Sequence, residues 1–210
     1  MPPAGERAGL DCAQVDYFER LWSQVGEVSP EFFELRRQFA IRRLERGVRV
    51  LDVGCGEGWF CDAFAAAGCV PVGVDVAAEA IRRARARYPS LEFAECGETS
   101  LPFPDGSFGA AWLGEVLEHV RDGLGLLAEV ARVVGPGGLL LASTPDHGRR
   151  RRLWLGVSKT AFERHFEPRA DHLRFFTRGT LSDLLDAAGF DGLDLRSSSG
   201  VLLVSARAAR

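Results

Sequence analysis

The chain has 210 residues, 46% of them hydrophobic, which is enough for one domain with a well-buried core. Its net charge of −3 at pH 7 argues against a protein that holds nucleic acid by bulk charge, so no nucleic-acid partner is expected. Five cysteines without a CxxC pair, no secretory leader pattern and no apolar run of ~20 residues predict a cytoplasmic protein with no membrane span.

The elements follow one another in a regular order. Apolar spacing among charges predicts helices over residues 11–46, and short β-rich runs then alternate with helical segments. The predicted strands are Val48–Val53, Val70–Val74, Leu91–Ala94, Phe108–Leu113, Leu139–Ser143, Phe190–Arg196 and Val201–Ala206. The predicted helices are Trp59–Ala67, Ala77–Tyr88, Leu124–Val134 and Leu181–Ala188.

This alternation predicts an α/β fold, a Rossmann-like, doubly wound and mostly parallel seven-stranded sheet with a carboxyl-terminal antiparallel hairpin and amino-terminal helices. We expect a single domain over 1–210, because neither an internal repeat nor a low-complexity linker interrupts it. Its predicted parts are listed in chain order: a helical cap over 11–46, a ligand-binding core over 48–145, an insertion or lid over 146–171, and a closing helix and strands over 172–210.

The stretch VLDVGCGEG, residues 50–58, ends the first predicted strand in a glycine-rich turn. Glycine permits a tight turn and close backbone contact with a ligand, and the next helix offers free N–H groups. Asp75 closes the second strand, where an acid can accept both hydroxyl groups of a ribose. The pattern therefore predicts a ligand that contains a nucleoside.

Two ligand classes fit that pattern. A dinucleotide fingerprint has the spacing GxGxxG, whereas here Glu57 precedes Gly58 and the bulky Trp59 follows it. A cofactor with an amino-acid tail fits better, because its carboxylate can use helix N–H groups and its ammonium can approach Asp52. S-adenosylmethionine has this shape, while a nicotinamide enzyme remains the rival interpretation.

Five ordered motifs carry a family resemblance: VLDVGCGEG, VGVDVA, LPFPDGSF, GEVLEHV and AEVARVVGPGG. With the tail HLRFFTRGTLSDLLDAAGF, they resemble class I S-adenosylmethionine-dependent methyltransferases, in the ubiquinone-type O-methyltransferase or methyltransferase type 11 branch. The resemblance implies that Gly54, Cys55 and Gly56 line the methionine and ribose portion. It also implies that Asp75 holds the ribose and that Val76 packs beside adenine.

The same resemblance places Leu113 near the sulfonium and reveals one departure. Gly97 stands where the family often has an acid that accepts a hydrogen bond from adenine, although the backbone N–H of Glu98 could still meet an adenine nitrogen. Arg36 or Arg37 could reach the carboxylate of the cofactor; a solvent-exposed helix face is the simpler expectation for each.

The segment Glu115-Val116-Leu117-Glu118-His119 is the strongest further group of functional side chains. If it is helical, Glu115, Glu118 and His119 share one face and could bind a divalent cation such as Mg²⁺, with His172 as a fourth ligand. Without a metal, His119 or His172 is the candidate catalytic base, since histidine titrates near neutral pH.

We therefore expect a methyltransferase, most simply an O-methyltransferase, that acts on a small-molecule acceptor. Aromatic residues in the cap and the insertion suit an apolar or aromatic acceptor. A catalytically silent S-adenosylmethionine-binding sensor or partner subunit is the alternative, motivated by Gly97. The sequence leaves the acceptor and the oligomeric state open.

Overall fold

The computed structural model describes residues 15–24, 26, 29–148, 153, 157–158, 160 and 173–209. The seven strands of the sheet are β1 (Arg49–Val53), β2 (Val70–Asp75), β3 (Glu92–Glu95), β4 (Ala110–Gly114), β5 (Leu139–Pro145), β6 (Phe190–Ser198) and β7 (Val201–Ala208). The helices are α1 (15–24), α2 (Phe33–Ile41), α3 (Trp59–Ala66), α4 (Ala78–Arg87), α5 (Gly123–Val134) and α6 (Arg178–Ala187).

The strands form one sheet in the order β3-β2-β1-β4-β5-β7-β6. β1 pairs in parallel with both β2 and β4, and β7 runs antiparallel to its neighbours β5 and β6. The predicted fold class is confirmed. Because the strand order reverses between β1 and β4, a crevice opens beyond the carboxyl ends of these two strands, which is where ligands bind in open α/β sheets.

Alternate residues of the central strands enter different layers of the core. Val50 and Trp112 pack on one face with Phe60 and Phe64 of α3, whereas Leu51 and its neighbours pack on the other face with α5 and α6. Side chains of a strand point alternately to opposite faces, so a strand covered on both sides is apolar throughout. The buried polar exception in β1 is Asp52, which is 2% exposed.

The local differences from the sequence predictions have backbone causes. Within its described residues the predicted helical region 11–46 holds α1 and α2, and Phe32, directly before α2, adopts a left-handed φ of 49° that a right-handed helix cannot continue. The predicted hairpin turns at Ser199 and Gly200, whose φ angles of 52° and 82° match a two-residue turn with both central residues left-handed. In the described part of the chain no helix has both the length and the apolarity needed to cross a membrane.

Candidate active site

A cavity of about 540 Å³ lies at the carboxyl ends of β1, β2 and β4. Its size is in the range of sites for small molecules and cofactors. All but one of the cofactor residues predicted from the sequence line this cavity. They are Asp52, Gly54, Cys55, Gly56, Asp75, Val76, Gly97 and Glu98. The parallel sheet therefore brings together positions that are far apart in the chain.

The exception is Leu113, which was expected beside the sulfonium. Its side chain is fully buried in the hydrophobic core. β4 continues one residue beyond the predicted strand end, so Gly114 and then Glu115 reach the cavity instead.

The glycine turn after β1 is closed on both sides by packing. Gly54 has φ +69°, and a Cβ atom there would lie 2.6 Å from Cγ2 of Val116 in the turn after β4. Gly56 has φ +53°, and its Cβ would lie 2.8 Å from Cζ2 of Trp22 in α1. Any side chain at either position would be strained by its backbone and would displace a neighbour. The glycines thus allow the two loops and the cap helix to meet around the cavity.

Asp75 ties the second strand to this turn. Its Oδ2 accepts a hydrogen bond from the N–H of Gly56 at 3.0 Å, and its Oδ1 accepts one from the N–H of Ala77 at 3.0 Å. Burial raises the pKa of Asp75, although the backbone N–H donors oppose the shift. A carboxylate has about four lone-pair sites, so both oxygens keep capacity for further donors such as ribose hydroxyls.

Asp52 is the buried carboxyl group beneath the glycine turn. The thiol of Cys61 donates to its Oδ2 at 3.3 Å. Burial raises the pKa of Asp52 to about 7, opposed by the Cys61 hydrogen bond and by the charge of Arg36. A positively charged ligand group beside Asp52 would favour its ionised form.

Arg36 of α2 is a cavity residue that the sequence did not single out from Arg37. It is 3% exposed, its Nε donates to Ser143 Oγ at 2.9 Å, and its guanidinium lies 5.0 Å from the ring centre of Phe60. The prediction that Arg36 lies on a solvent-exposed helix face is therefore wrong. The same prediction fits Arg37, whose partly exposed side chain forms an ion pair with Glu34. Only the register of α2 against the sheet distinguishes these neighbours.

Glu57 lies within the glycine turn, yet its side chain is turned toward α4. Its Oε1 accepts from Arg83 Nη1 at 2.9 Å, and its Oε2 accepts from Arg87 Nη1 at 3.4 Å. The acid is thus engaged by two guanidinium groups, and its role is to hold the turn against α4.

The far end of the cavity is lined by Cys96, Gly97 and Glu98 after β3. The N–H of Gly97 donates to the carbonyl of Ser100 at 3.2 Å, and the carboxylate of Glu98 accepts a hydrogen bond from the N–H of Arg121. Burial, with a smaller contribution from the negative charge of Asp75, raises the pKa of the Cys96 thiol to about 12. The wall here combines backbone, the Cys96 thiol and the Glu98 carboxylate, which is engaged by the N–H of Arg121.

The segment 115–119 is a turn, so the helical arrangement considered for it is wrong. Glu115 has a left-handed φ of 61°. The N–H of His119 donates to the carbonyl of Val116, three residues back, whereas an α-helix would pair it with the residue four back. The N–H of Glu115 instead donates to the carbonyl of Ser143 on β5. Pairing with β5 thus decides the conformation of this segment.

The turn nevertheless brings Glu115, Glu118 and His119 to the same cavity. Glu118 is 1% exposed, and burial, followed by the charge of Glu115, raises its pKa to about 8. The ring of His119 meets the ring of Phe18 from α1 edge to face, with centroids 5.8 Å apart. The cap helix thus covers the histidine that the sequence put forward as a catalytic base.

The predicted metal site is not assembled by the described residues. No group of three His, Cys, Asp or Glu side chains in them is arranged to hold a metal ion. One oxygen each of Glu115 and Glu118 is taken by Ser143 and Thr144. The fourth predicted ligand, His172, lies outside the described residues, as does most of the predicted lid over 146–171.

The comparisons with known proteins point to one family. A family model described as a methyltransferase domain matches residues 25–195. The chain is 29% identical to a probable S-adenosylmethionine-dependent methyltransferase of Mycolicibacterium smegmatis, over 99% of this chain and 73% of that protein. It is 30% identical to a ubiquinone biosynthesis O-methyltransferase of Thiobacillus denitrificans, over 90% of this chain and 87% of that protein. A putative methyltransferase structure from Bacillus halodurans shares the fold, with a TM-score of 0.68 at 18% identity over 84% of this chain and 99% of that one.

Proposed function

Because the chain belongs to the S-adenosylmethionine-dependent methyltransferases, we propose that it methylates an oxygen atom of a small molecule with an apolar body. The observation that carries the proposal is the cavity itself, since it runs from the glycine turn after β1 to the turn that holds Glu118 and His119. Cofactor and acceptor can therefore lie in one cavity. The family assignment also removes the nicotinamide interpretation and favours an enzyme over a silent sensor.

The residues present fit the cofactor. Asp75 keeps free lone pairs for the ribose hydroxyls, and Val76 and Gly97 form the walls for the adenine ring. Asp52 is buried where it can pair with the ammonium of the amino-acid tail, and Arg36 carries the opposite charge for the carboxylate. Matching both charges of the tail distinguishes an amino-acid cofactor from a pyrophosphate.

S-adenosylmethionine, when bound, supplies a methyl group that is already activated by its sulfonium. The protein's task is then alignment and exclusion of water, and orientation of this kind supplies about 7–11 kcal/mol. Phe18 and Trp22 of α1 line the cavity and give its wall apolar surface. His119 lies at the cavity wall, where its imidazole takes the proton of the acceptor hydroxyl.

Oxygen is the preferred target for two reasons. An O–H group loses its proton on methylation and needs a base, and His119 is a histidine that lines the cavity. The Thiobacillus denitrificans relative is an O-methyltransferase. For the acceptor, the apolar residues Phe18, Leu21, Val120 and Leu126 line the cavity and favour a ring or short chain over a highly charged molecule.

The test measures cofactor binding and turnover separately. Calorimetry with S-adenosylhomocysteine reports the cofactor site, and release of S-adenosylhomocysteine over a library of phenols, alcohols and amines reports transfer. We expect binding, and turnover on hydroxylated members of the library. Binding without turnover on any acceptor would support the silent-sensor alternative, and turnover on amines alone would reassign the methylated atom.

A further inference from the structure

Two consecutive residues of β5 hold the acidic groups of the turn after β4. Ser143 Oγ donates to Oε1 of Glu115 at 2.7 Å, and Thr144 Oγ1 donates to Oε2 of Glu118 at 2.9 Å. Each hydroxyl group occupies one oxygen of a carboxyl group and leaves the other. The strand thus fixes both carboxyl groups at the cavity wall without satisfying them.

The remaining oxygen of Glu118 is the notable atom. Its Oε1 is buried and has no hydrogen-bond partner within the described chain, although the residue lines the cavity. Buried polar atoms in proteins are nearly always paired, so an unpaired one on a side chain that lines the cavity indicates a partner supplied by a ligand. Neither β5 nor the turn after β4 supplies that partner.

The charge of the wall restricts the chemistry of this partner. Among the described residues that line the cavity, Arg36 is the only Arg or Lys. Its Nε and Nη1 already donate to Ser143 and to the carbonyl of Glu31. An anionic group here would meet the negative charge of Glu115, which already forms an ion pair with Arg36 at 3.9 Å, whereas a hydrogen-bond donor would find an acceptor in the unpaired Oε1 of Glu118.

Resting on the proposed function, we propose that Glu115 and Glu118 determine acceptor specificity. They bind an acceptor whose head group is a hydroxyl or an ammonium, and they reject one whose head group is a carboxylate or a phosphate. The apolar body of the acceptor then packs against Phe18, Val120 and Leu126. The acceptor class is an alcohol, phenol or amino alcohol without an acidic group near the methylated atom.

The experiment uses three probes with one ring and different heads: 2-phenylethanol, 2-phenylethylamine and phenylacetate. Each is titrated by calorimetry into the full chain loaded with S-adenosylhomocysteine, in EDTA, so that metal bridging does not contribute. We expect the alcohol and the amine to bind and phenylacetate to bind at least tenfold more weakly, as a rough figure for one lost charge-assisted contact. Glu118→Gln is expected to weaken the amine by about 10- to 100-fold and to reduce the discrimination against phenylacetate.

Two variants and one control make the result interpretable. Glu115→Gln tests the second carboxyl group at a side chain that is 27% exposed and therefore tolerant of change. Glu92→Gln is the matched control, because its side chain is 63% exposed on β3, outside the cavity lining. Unfolding temperature and S-adenosylhomocysteine affinity, measured for each variant, show whether the fold is intact.

Measurements on the wild-type protein are enough to refute the inference: phenylacetate would bind as tightly as the other probes or more tightly, or no probe would bind. Unchanged selectivity in both Glu variants would refute it as well. These outcomes leave the proposed function standing as long as S-adenosylhomocysteine binds. Failure of S-adenosylhomocysteine to bind would instead refute the proposed function.

Discussion

Replacing Asp75 by alanine should reduce both stability and cofactor affinity. The change leaves the N–H groups of Gly56 and Ala77 without their acceptor at a site that is 7% exposed. Each unsatisfied buried donor costs about 1–3 kcal/mol, and removal of a desolvated carboxylate offsets part of that cost. We expect a net loss of about 1–4 kcal/mol in the free energy of unfolding, or roughly 3–12 °C in Tm for a chain of this size.

The effect on affinity is separate from the effect on stability. The ribose hydroxyls would lose both of their acceptor oxygens, which predicts a Kd for S-adenosylhomocysteine raised by about 10- to 1,000-fold. Calorimetry measures this directly. Thermal unfolding at increasing ligand concentration checks it, because stabilisation by a ligand grows as RT ln(1 + [L]/Kd).

Asp62→Ala provides the matched control, since Asp62 is an exposed acid on α3. It should change neither Tm nor affinity. If Asp75→Ala bound S-adenosylhomocysteine as tightly as the wild type, Asp75 would have no role in the cofactor site. If affinity fell while Tm stayed constant, the two backbone hydrogen bonds would contribute nothing to stability.

Three further predictions follow from the same site. Because the pKa of Asp52 is raised to about 7, cofactor affinity should increase as pH rises from 6 to 8, and calorimetry should find a flat profile in Asp52→Asn. The free energy of unfolding should change in the opposite direction with pH. The stabilising contribution of protonated Asp52 is complete below the ordinary pKa of 3.8 and is lost as pH rises through 7. Denaturation at pH 5 and at pH 8 would detect the loss. Gly54→Ala should weaken S-adenosylhomocysteine binding roughly tenfold or more, because the new side chain would strain the left-handed backbone and displace Val116. An unchanged Kd would contradict the packing described. Turnover should survive EDTA, because Glu115 and Glu118 are engaged by hydroxyl groups; loss of activity that Mg²⁺ restores would return His172 to a metal site.

The sequence by itself determined the elements and predicted which residues line one end of the cavity. Strand runs bounded by glycine, proline and acids place β1 to β7 within a few residues of their observed limits, because apolar periodicity and turn residues act locally. Gly54, Gly56 and Asp75 could be placed at the cavity from the sequence because their positions depend on local backbone geometry and on strand ends.

Other features of the cavity were decided by the tertiary structure alone. It buried Arg36 and left Arg37 partly exposed, although both are arginines in one helix. It turned Glu57 toward α4, and it made the segment from Glu115 to His119 a turn, because the N–H of Glu115 pairs with β5. Those outcomes depend on which distant strand lies beside a residue, and hydrogen bonding and burial across the sheet set them only when the chain is folded.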